Sequence, residues 1–361
     1  MTDRDYMKLA LEEAVKGEGF VSPNPMVGAV IVKDGKIIAK GYHHRYGALH
    51  AERDALKNCT EDPKGATMFV TLEPCCHQGK QPPCTQAVIE SGIKRVVTGS
   101  GDPNPLVGGK GIQLLRNSGI EVTENVLEKE CLKLNEIFFY FIRTGQPFVT
   151  MKYAMTLDGK IAAYTGKSKW ITGELSRENV QRTRHKYSGI MVGVGTVLAD
   201  DPMLNCRING GKDPTRIICD TKLRIPLHSK VVQTAKDIPT MLAVSCNDNE
   251  KIRQFENYGC QVLNLPQKNG HVDLQVLMKK LGEQKIDSIL LEGGAELNWS
   301  ALHEGIVNKV QAYISPKILG GGGKSPIGGL GAESPDSAFQ LTDCEIHYFG
   351  EDIMIESRVT Y

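Results

Sequence analysis

Apolar residues at Met7, Ala10, Leu11 and Ala14 recur at intervals of three and four, the spacing of one helix face, and predict a helix that stops near Gly17. The period then changes. An apolar run over 27–32 and a second over 37–40 read as strands, and Asp34-Gly35 between them is a tight hairpin signal. Helical patterns over 50–58, 83–91 and 110–117 alternate with buried strands over 66–72, 95–98 and 120–123. One long helix over 127–142 closes this half, with Phe138, Phe139 and Phe141 read as packing residues. Gly145-Gln146-Pro147 interrupts the pattern and marks a boundary, giving domains 1–146 and 147–361. A second series follows. Strands are expected over 148–153, 189–194, 215–219, 240–244, 261–265, 288–291 and 310–314, with helices over 176–185, 272–281 and 296–303. Strands alternating with helices predict α/β domains, the first a three-layer one.

Composition agrees with two domains and narrows the partners. A chain of 361 residues exceeds one ordinary core, and 40% hydrophobic with 24% charged residues fits a soluble globular protein. Net charge is +1 with no long run of one sign, which argues against nucleic acid or a membrane surface as partner. No apolar stretch approaches the ~20 residues of a membrane span, and Met1-Thr2-Asp3-Arg4-Asp5 lacks the apolar core of a signal peptide. Ten cysteines in such a chain read as reduced thiols in the cytoplasm. Six of them, Cys131, Cys206, Cys219, Cys246, Cys260 and Cys344, are expected to be small buried apolar residues.

His50-Ala51-Glu52, then Pro74-Cys75 and Cys84, carry the clearest chemistry. A neutral imidazole and two thiolates fill three positions of a tetrahedral zinc ion and leave the fourth for water. Zinc lowers the pKa of that water to roughly 7. Glu52 can then take its proton and pass it to a leaving amine. Zinc-dependent base deaminases share this constellation, usually with a short Cys-x-x-Cys pair. Here eight residues separate Cys75 from Cys84, and the adjacent Cys76 is poorly placed to aim at the same ion. A closed structural zinc site would need a fourth protein ligand and would have no use for Glu52. In the second half, Leu291-Glu292-Gly293-Gly294-Ala295-Glu296 follows a buried strand and opens a helix, a place where backbone N–H groups can meet a phosphate. Gly193-Val194-Gly195 lacks the third glycine of a dinucleotide fingerprint.

The stretch 72–84, with Glu73-Pro74-Cys75-Cys76-His77, Gly79-Lys80 and Pro82-Pro83 before Cys84, resembles the bifunctional riboflavin-biosynthesis deaminase/reductases. Asn24-Pro25, Gly28-Ala29-Val30 and Asp102-Pro103-Asn104-Pro105 fit the same family. In the second half, Met155-Thr156-Leu157-Asp158-Gly159-Lys160, Ser168-Lys169-Trp170 and Ala199-Asp200-Asp201-Pro202 resemble its reductase domain. The resemblance implies a cytidine-deaminase-like α/β domain followed by a dihydrofolate-reductase-like α/β domain. It implies zinc-hydroxide deamination of 2,5-diamino-6-ribosylamino-4(3H)-pyrimidinone 5′-phosphate. NADPH-dependent reduction of the ribosyl group of 5-amino-6-(5-phosphoribosylamino)uracil to ribityl would follow.

By the same resemblance, Asn24, His43, His77 and Lys80 contact the first substrate. Ser168, Arg184, Leu204, Arg207 and Glu292 hold the second, the two arginines suiting its phosphate. Ala154, Trp170, Thr196, Asp200, Thr221 and the segment Gly294, Ala295, Glu296, Leu297, Asn298, Trp299 and Ser300 would contact NADPH. Lys152, Asp200 and Glu292 are the ionisable residues placed near the reduction, and Lys222 and Arg224 are candidates for the cofactor's 2′-phosphate. The assembly is expected to be a homo-oligomer. Two other readings are weighed. An RNA- or nucleotide-acting zinc deaminase with an accessory domain would show the short cysteine spacing and, for RNA, a basic stripe. A zinc-stabilised binding protein would need neither Glu52 nor a nicotinamide site.

Overall fold

The computed structural model describes residues 1–78, 82–104 and 108–361. These divide into two compact units, Met1–Gly145 and Gln146–Tyr361.

The first unit is built from α1 (Asp3–Val15), β1 (Gly28–Lys33), β2 (Lys36–Tyr42), α2 (Ala51–Lys57), β3 (Thr67–Leu72), α3 (Cys84–Glu90), β4 (Arg95–Ser100), α4 (Lys110–Asn117), β5 (Glu121–Thr123), α5 (Glu128–Leu134) and α6 (Glu136–Thr144). The sheet order is β2-β1-β3-β4-β5. β1 runs antiparallel to both neighbours, whereas β3, β4 and β5 are parallel. Alternate residues of each strand enter opposite cores, as the two-residue side-chain period requires. Ala29, Ile31, Met68, Val70 and Val96 pack with Ala55, Val88, Leu115 and Phe139 from α2, α3, α4 and α6. Val30, Phe69 and Val97 pack on the other face with Tyr6, Met7 and Ala10 of α1 and Cys131 of α5. This is the three-layer arrangement the alternating pattern predicts.

The hairpin between β1 and β2 turns through Asp34 (φ 50°) and Gly35 (φ 77°), the left-handed pair of a tight two-residue turn. Gly41 of β2 lets α2 sit directly on the sheet: a Cβ there would lie 2.2 Å from the Ala55 nitrogen. The expected helix over 127–142 is two helices. Asn135, 2% exposed, leaves helical geometry (φ −107°, ψ 23°). Its side chain accepts from the Met26 nitrogen at 2.8 Å and donates to the Met26 carbonyl at 2.9 Å. A short amide that bonds a distant loop competes with the helix ladder.

The second unit contains β6 (Phe148–Thr156), α7 (Glu174–Lys186), β7 (Gly189–Gly193), α8 (Val194–Asp200), β8 (Thr215–Cys219), α9 (Lys230–Gln233), β9 (Thr240–Val244), α10 (Asn249–Asn257) and β10 (Gln261–Asn264). It continues with β11 (Gln267–Lys268), β12 (His271–Val272), α11 (Leu274–Glu283), β13 (Ser288–Leu291), α12 (Ala295–His303), β14 (Lys309–Ser315), β15 (Gln340–Phe349) and β16 (Asp352–Thr360). The nine-stranded sheet has the order β10-β9-β8-β7-β13-β6-β14-β16-β15. It is parallel from β10 through β14, and β16 and β15 are antiparallel. One face packs Met151, Met191, Ile217 and Leu291 against Leu277, Leu281 and Ala301 of α11 and α12. The other packs Ile190, Val192, Ile218 and Leu242 against Val197, Val232 and Phe255 of α8, α9 and α10.

Three helices, the β11–β12 hairpin and the C-terminal strands lie outside the sequence expectations. α8 starts directly off β7 in the segment that reads as a defective dinucleotide fingerprint. β15 is exposed on most positions and its register shifts between Thr342 and Glu345, so no two-residue period survives in its sequence. Cys131 and Cys260 are buried as expected and Cys206, Cys219 and Cys246 half-buried, but Cys344 is exposed, because it lies on this outer strand. Among the described residues no helix is long and apolar enough to cross a membrane.

Candidate active sites

The first site forms where α2, the end of β3 and α3 meet. His50 is the N-cap of α2, in extended backbone, so its ring turns out of the helix beside the first-turn Glu52. Cys75 follows β3, and Cys84 is the first residue of α3. His50 Nδ1 lies 3.6 Å from Cys75 Sγ and 3.4 Å from Cys84 Sγ, and the three ligand atoms lie within 4.8 Å of one another. Tetrahedral zinc with ordinary Zn–N and Zn–S bonds separates such atoms by about 3.5 Å, so the donor set fits the ion in type and spacing. Arg53, next to Glu52, donates to the Pro82 carbonyl at 3.2 Å and the Pro83 carbonyl at 3.0 Å, fastening α2 to the start of α3.

Electrostatics sort the roles. Cys75 is held at about 4 by the hydrogen bond from the Cys84 thiol and by His50. Cys84 is pushed well above its ordinary value by the same contact and by burial. Two thiols contending for one negative charge suit a divalent cation, which satisfies both. Glu52 is 3% exposed; burial first, and the Cys75 thiolate second, raise it to about 7. A carboxyl at that value both accepts and donates a proton at neutral pH. Cys76 is half-buried, outside the ligand group, and burial raises its thiol.

His43, 2% exposed, stands edge-on to His50 with ring centroids 5.4 Å apart. The Leu49 carbonyl, 2.8 Å from Nδ1, fixes the proton there, so Nε2 accepts from Asn24 Nδ2 at 3.2 Å. Burial lowers the His43 pKa and keeps the ring neutral. His77 is exposed. Lys80 and Pro105 lie outside the described residues.

The second site lies at the carboxyl ends of β6, β7 and β13. Glu292, just beyond β13, accepts from Arg184 Nε at Oε1 and from its second nitrogen at Oε2, both at 2.8 Å. The third Arg184 nitrogen donates to the Asn205 carbonyl at 3.0 Å. Burial opposes the Glu292 charge, but Arg184 outweighs it and holds the carboxyl at about 2, with Lys152 and Arg207 assisting. Lys152 is lowered by burial, with Glu292 opposing and Arg184 adding to the shift. Its ammonium lies 5.5 Å from the centre of the Tyr313 ring, a residue that the sequence pattern places only on a strand. Arg207 is exposed, Ser168 half-buried and Leu204 buried. Arg207 is therefore the arginine whose side chain is open to solvent, while the Arg184 fork is committed to Glu292 and Asn205.

The glycine turn before α12 places Gly294 at the helix N-cap, with Thr196 Oγ1 3.6 Å from where a Gly294 side chain would begin. Asn298 is 1% exposed; its Nδ2 donates to the Pro326 carbonyl at 2.9 Å, and its Oδ1 is buried without a partner among the described residues. A glycine turn at a helix start with an unpaired buried amide oxygen fits a polar ligand such as a dinucleotide. Ala295 and Leu297 are half-buried, Glu296 is exposed, and Ser300 donates to the Glu296 carbonyl. Trp299 packs on His303 and Phe339. Trp170 is 60% exposed, with the Arg177 guanidinium 4.6 Å from its ring centre, and Lys317 donates to its carbonyl. Ala154 packs near Tyr313, Asp200 is the exposed last residue of α8, and Thr221 Oγ1 accepts from the Val272 nitrogen. Lys222 is exposed, and Arg224 faces the buried Asp220 across 3.8 Å.

The family model described as the RibD C-terminal domain matches residues 147–355, and the cytidine and deoxycytidylate deaminase zinc-binding region matches 1–100. The riboflavin biosynthesis protein RibD of Actinobacillus pleuropneumoniae is 55% identical, over 99% of this chain and 95% of its own length. The chain belongs to the RibD family. The RibD protein of Escherichia coli is 38% identical over 98% of this chain and 99% of its own. Two solved RibD-type structures each cover 99% of this chain and of their own. A deaminase/reductase from Thermotoga maritima has TM-score 0.89 at 40% identity, and Acinetobacter baumannii RibD has 0.90 at 35%. The protein is therefore a bifunctional deaminase/reductase of riboflavin biosynthesis, with a cytidine-deaminase-like first domain and a RibD-type reductase domain. An RNA-acting deaminase with an accessory domain is not favoured. A zinc-binding deaminase region and a reductase domain support a zinc ion and a nicotinamide cofactor.

Arg53 and Tyr313 entered no sequence reading. Arg53 carried one available signal, its place beside Glu52 on the same helix. Tyr313 carried none, since only sheet order brings β14 beside β6.

Proposed function

We propose that the first domain deaminates 2,5-diamino-6-ribosylamino-4(3H)-pyrimidinone 5′-phosphate, and that the second reduces the resulting 5-amino-6-(5-phosphoribosylamino)uracil at its ribosyl group to ribityl. The carrying observation is the pairing of a three-ligand zinc set with a buried Glu52 outside it, raised to about 7. Zinc, when bound, acts as a Lewis acid that makes a water nucleophilic at neutral pH. Glu52 takes the proton from that water and returns it to the departing amine, so that water and aminopyrimidine become carbonyl and ammonia. Neutral His43 and Asn24 line the approach, and His77 and Lys80 complete the substrate contacts.

In the reductase domain, a bound NADPH would supply the hydride that reduces the ribosyl group. Glu292, locked by Arg184, stays ionised and draws the Lys152 ammonium toward the substrate, while Arg207 offers its fork to the phosphate. The ring oxygen released as a hydroxyl takes one proton, for which Lys152 and Asp200 are the candidate donors. Ala154, Trp170, Thr196, Thr221 and the 294–300 segment hold the cofactor, and Ser168 and Leu204 the substrate. Lys222 and Arg224 select the 2′-phosphate of NADPH. The reading also places the enzyme in the cytoplasm, where thiol ligands stay reduced, as a homo-oligomer acting on small molecules rather than nucleic acid. Ammonia release and NADPH oxidation, followed separately with the pyrimidinone phosphate, test both halves. A kcat/KM for NADH equal to that for NADPH would refute the cofactor assignment.

A further inference from the structure

Glu73 directly follows β3, two residues before the ligand Cys75, and the chemistry above gives it no task. It is 3% exposed. Its carboxylate accepts four backbone N–H groups. Oε2 takes those of Asp102 at 3.3 Å and Gly109 at 2.9 Å, and Oε1 those of Gly111 at 2.9 Å and Ile112 at 3.3 Å. Three of these donors form the entry to α4, where the helix leaves N–H groups unpaired and favours negative charge. The fourth begins the segment that leaves β4. Gly111 permits the approach, because a Cβ there would lie 2.1 Å from the Pro74 carbonyl oxygen and 3.1 Å from Glu73 Oε1.

What Glu73 holds is the segment at Asp102–Asn104. The Asp102 carboxylate accepts from the Asn104 nitrogen at 2.8 Å. Leu72 of β3 pairs with Ser100 of β4, and the Glu73 nitrogen donates to the Ser100 carbonyl at 2.9 Å, so the segment that leaves β4 runs beside the one that leads from β3 to Cys75. Cys75 has a separate anchor. Its carbonyl accepts from the Thr85 nitrogen at 3.1 Å and hydroxyl at 3.3 Å, and its sulfur from the Cys84 nitrogen at 3.4 Å. Metal ligand and bordering segment are thus supported by different residues.

We infer that Glu73 is a positioning residue for deamination that fixes the Asp102–Asn104 segment beside the metal site and so sets affinity for the pyrimidine, leaving metal binding to other supports. This rests on the deaminase reading above. The carboxylate is required because an amide offers one acceptor oxygen, and its NH2 would face the other pair of N–H donors.

The test is Glu73→Gln in the full chain, with zinc content, steady-state ammonia release and backbone hydrogen exchange measured together. The expected result is full zinc, faster exchange at Gly109, Gly111 and Ile112, and KM raised about tenfold or more with kcat within about threefold, the pattern of lost ground-state binding. An unchanged KM, or a fall in kcat alone, overturns the inference. Zinc loss in Glu73→Gln, with the protein still folded, would show that metal binding itself depends on Glu73. Full zinc with the raised KM supports the inference, whereas zinc loss or a normal KM overturns it. A parent enzyme that releases no ammonia sinks the deaminase reading instead, and exchange at the same three amides then reports on Glu73 alone.

Discussion

Glu52 is the single side chain on which the choice between a catalytic and a structural metal site turns. It lies outside the group that could hold the ion, so Glu52→Ala should retain zinc while deamination falls by at least ~10². Metal analysis beside an ammonia assay checks this, and near-normal turnover would end the assignment. Glu292 gives a pH signature in the other domain. Its folded value, about 2, lies below the ordinary 4.5, so its pairing with Arg184 stabilises the fold fully above 4.5. That stability is lost as pH falls from 4.5 toward about 2. Breaking such a buried pair costs about 3–5 kcal/mol at neutral pH. Glu292→Gln should therefore lower Tm markedly near neutrality, and the gap from the parent should narrow as the pH drops below about 4.5. A gap constant with pH would mean that the ion pair contributes nothing. The grouping of His50, Cys75 and Cys84 was legible in the sequence because metal chemistry limits residue type and count. The commitment of Arg184 to Glu292 was not, because both look like phosphate- and substrate-facing residues until the distance between them is known.

Among elements, the alternation of period gave most strands and helices to within a few residues, since buried runs bounded by Gly, Pro and Asp leave few choices. It failed where one residue overrode a pattern. The apolar face over 127–142 is continuous, yet Asn135 divides it by bonding both backbone groups of Met26. Asn135→Ala should strand a buried donor and acceptor at Met26, at about 1–3 kcal/mol each. The midpoint of the deaminase domain's urea unfolding should fall accordingly. An unchanged midpoint would show that the two α5–α6 segments need no such tie. β15 failed for a different reason: a strand exposed on most positions and shifted in register writes no hydrophobic code.

At the scale of the molecule, each set of site residues comes from one compact unit, Met1–Gly145 or Gln146–Tyr361. The two chemistries should fail separately. Cys75→Ala should abolish zinc binding and ammonia release while supplied deaminated intermediate is still reduced. Arg207→Ala should weaken reduction by roughly 1.5–3 kcal/mol, the worth of a charge-assisted contact, and leave deamination intact. Loss of both activities in either folded variant would require a composite site.

The sheet order also bears on how the chain is made. In the first unit every strand finds its neighbours before residue 146. In the second, β6 emerges first yet lies between β13 and β14, with Phe148 beside Ser288 and Thr150 beside Lys309. Its apolar strand therefore leaves the ribosome without partners and waits through most of the domain's synthesis, a period in which exposed strand edges invite aggregation. Nascent chains stalled near residue 200 should already resist protease up to about residue 145 and remain cleavable beyond it.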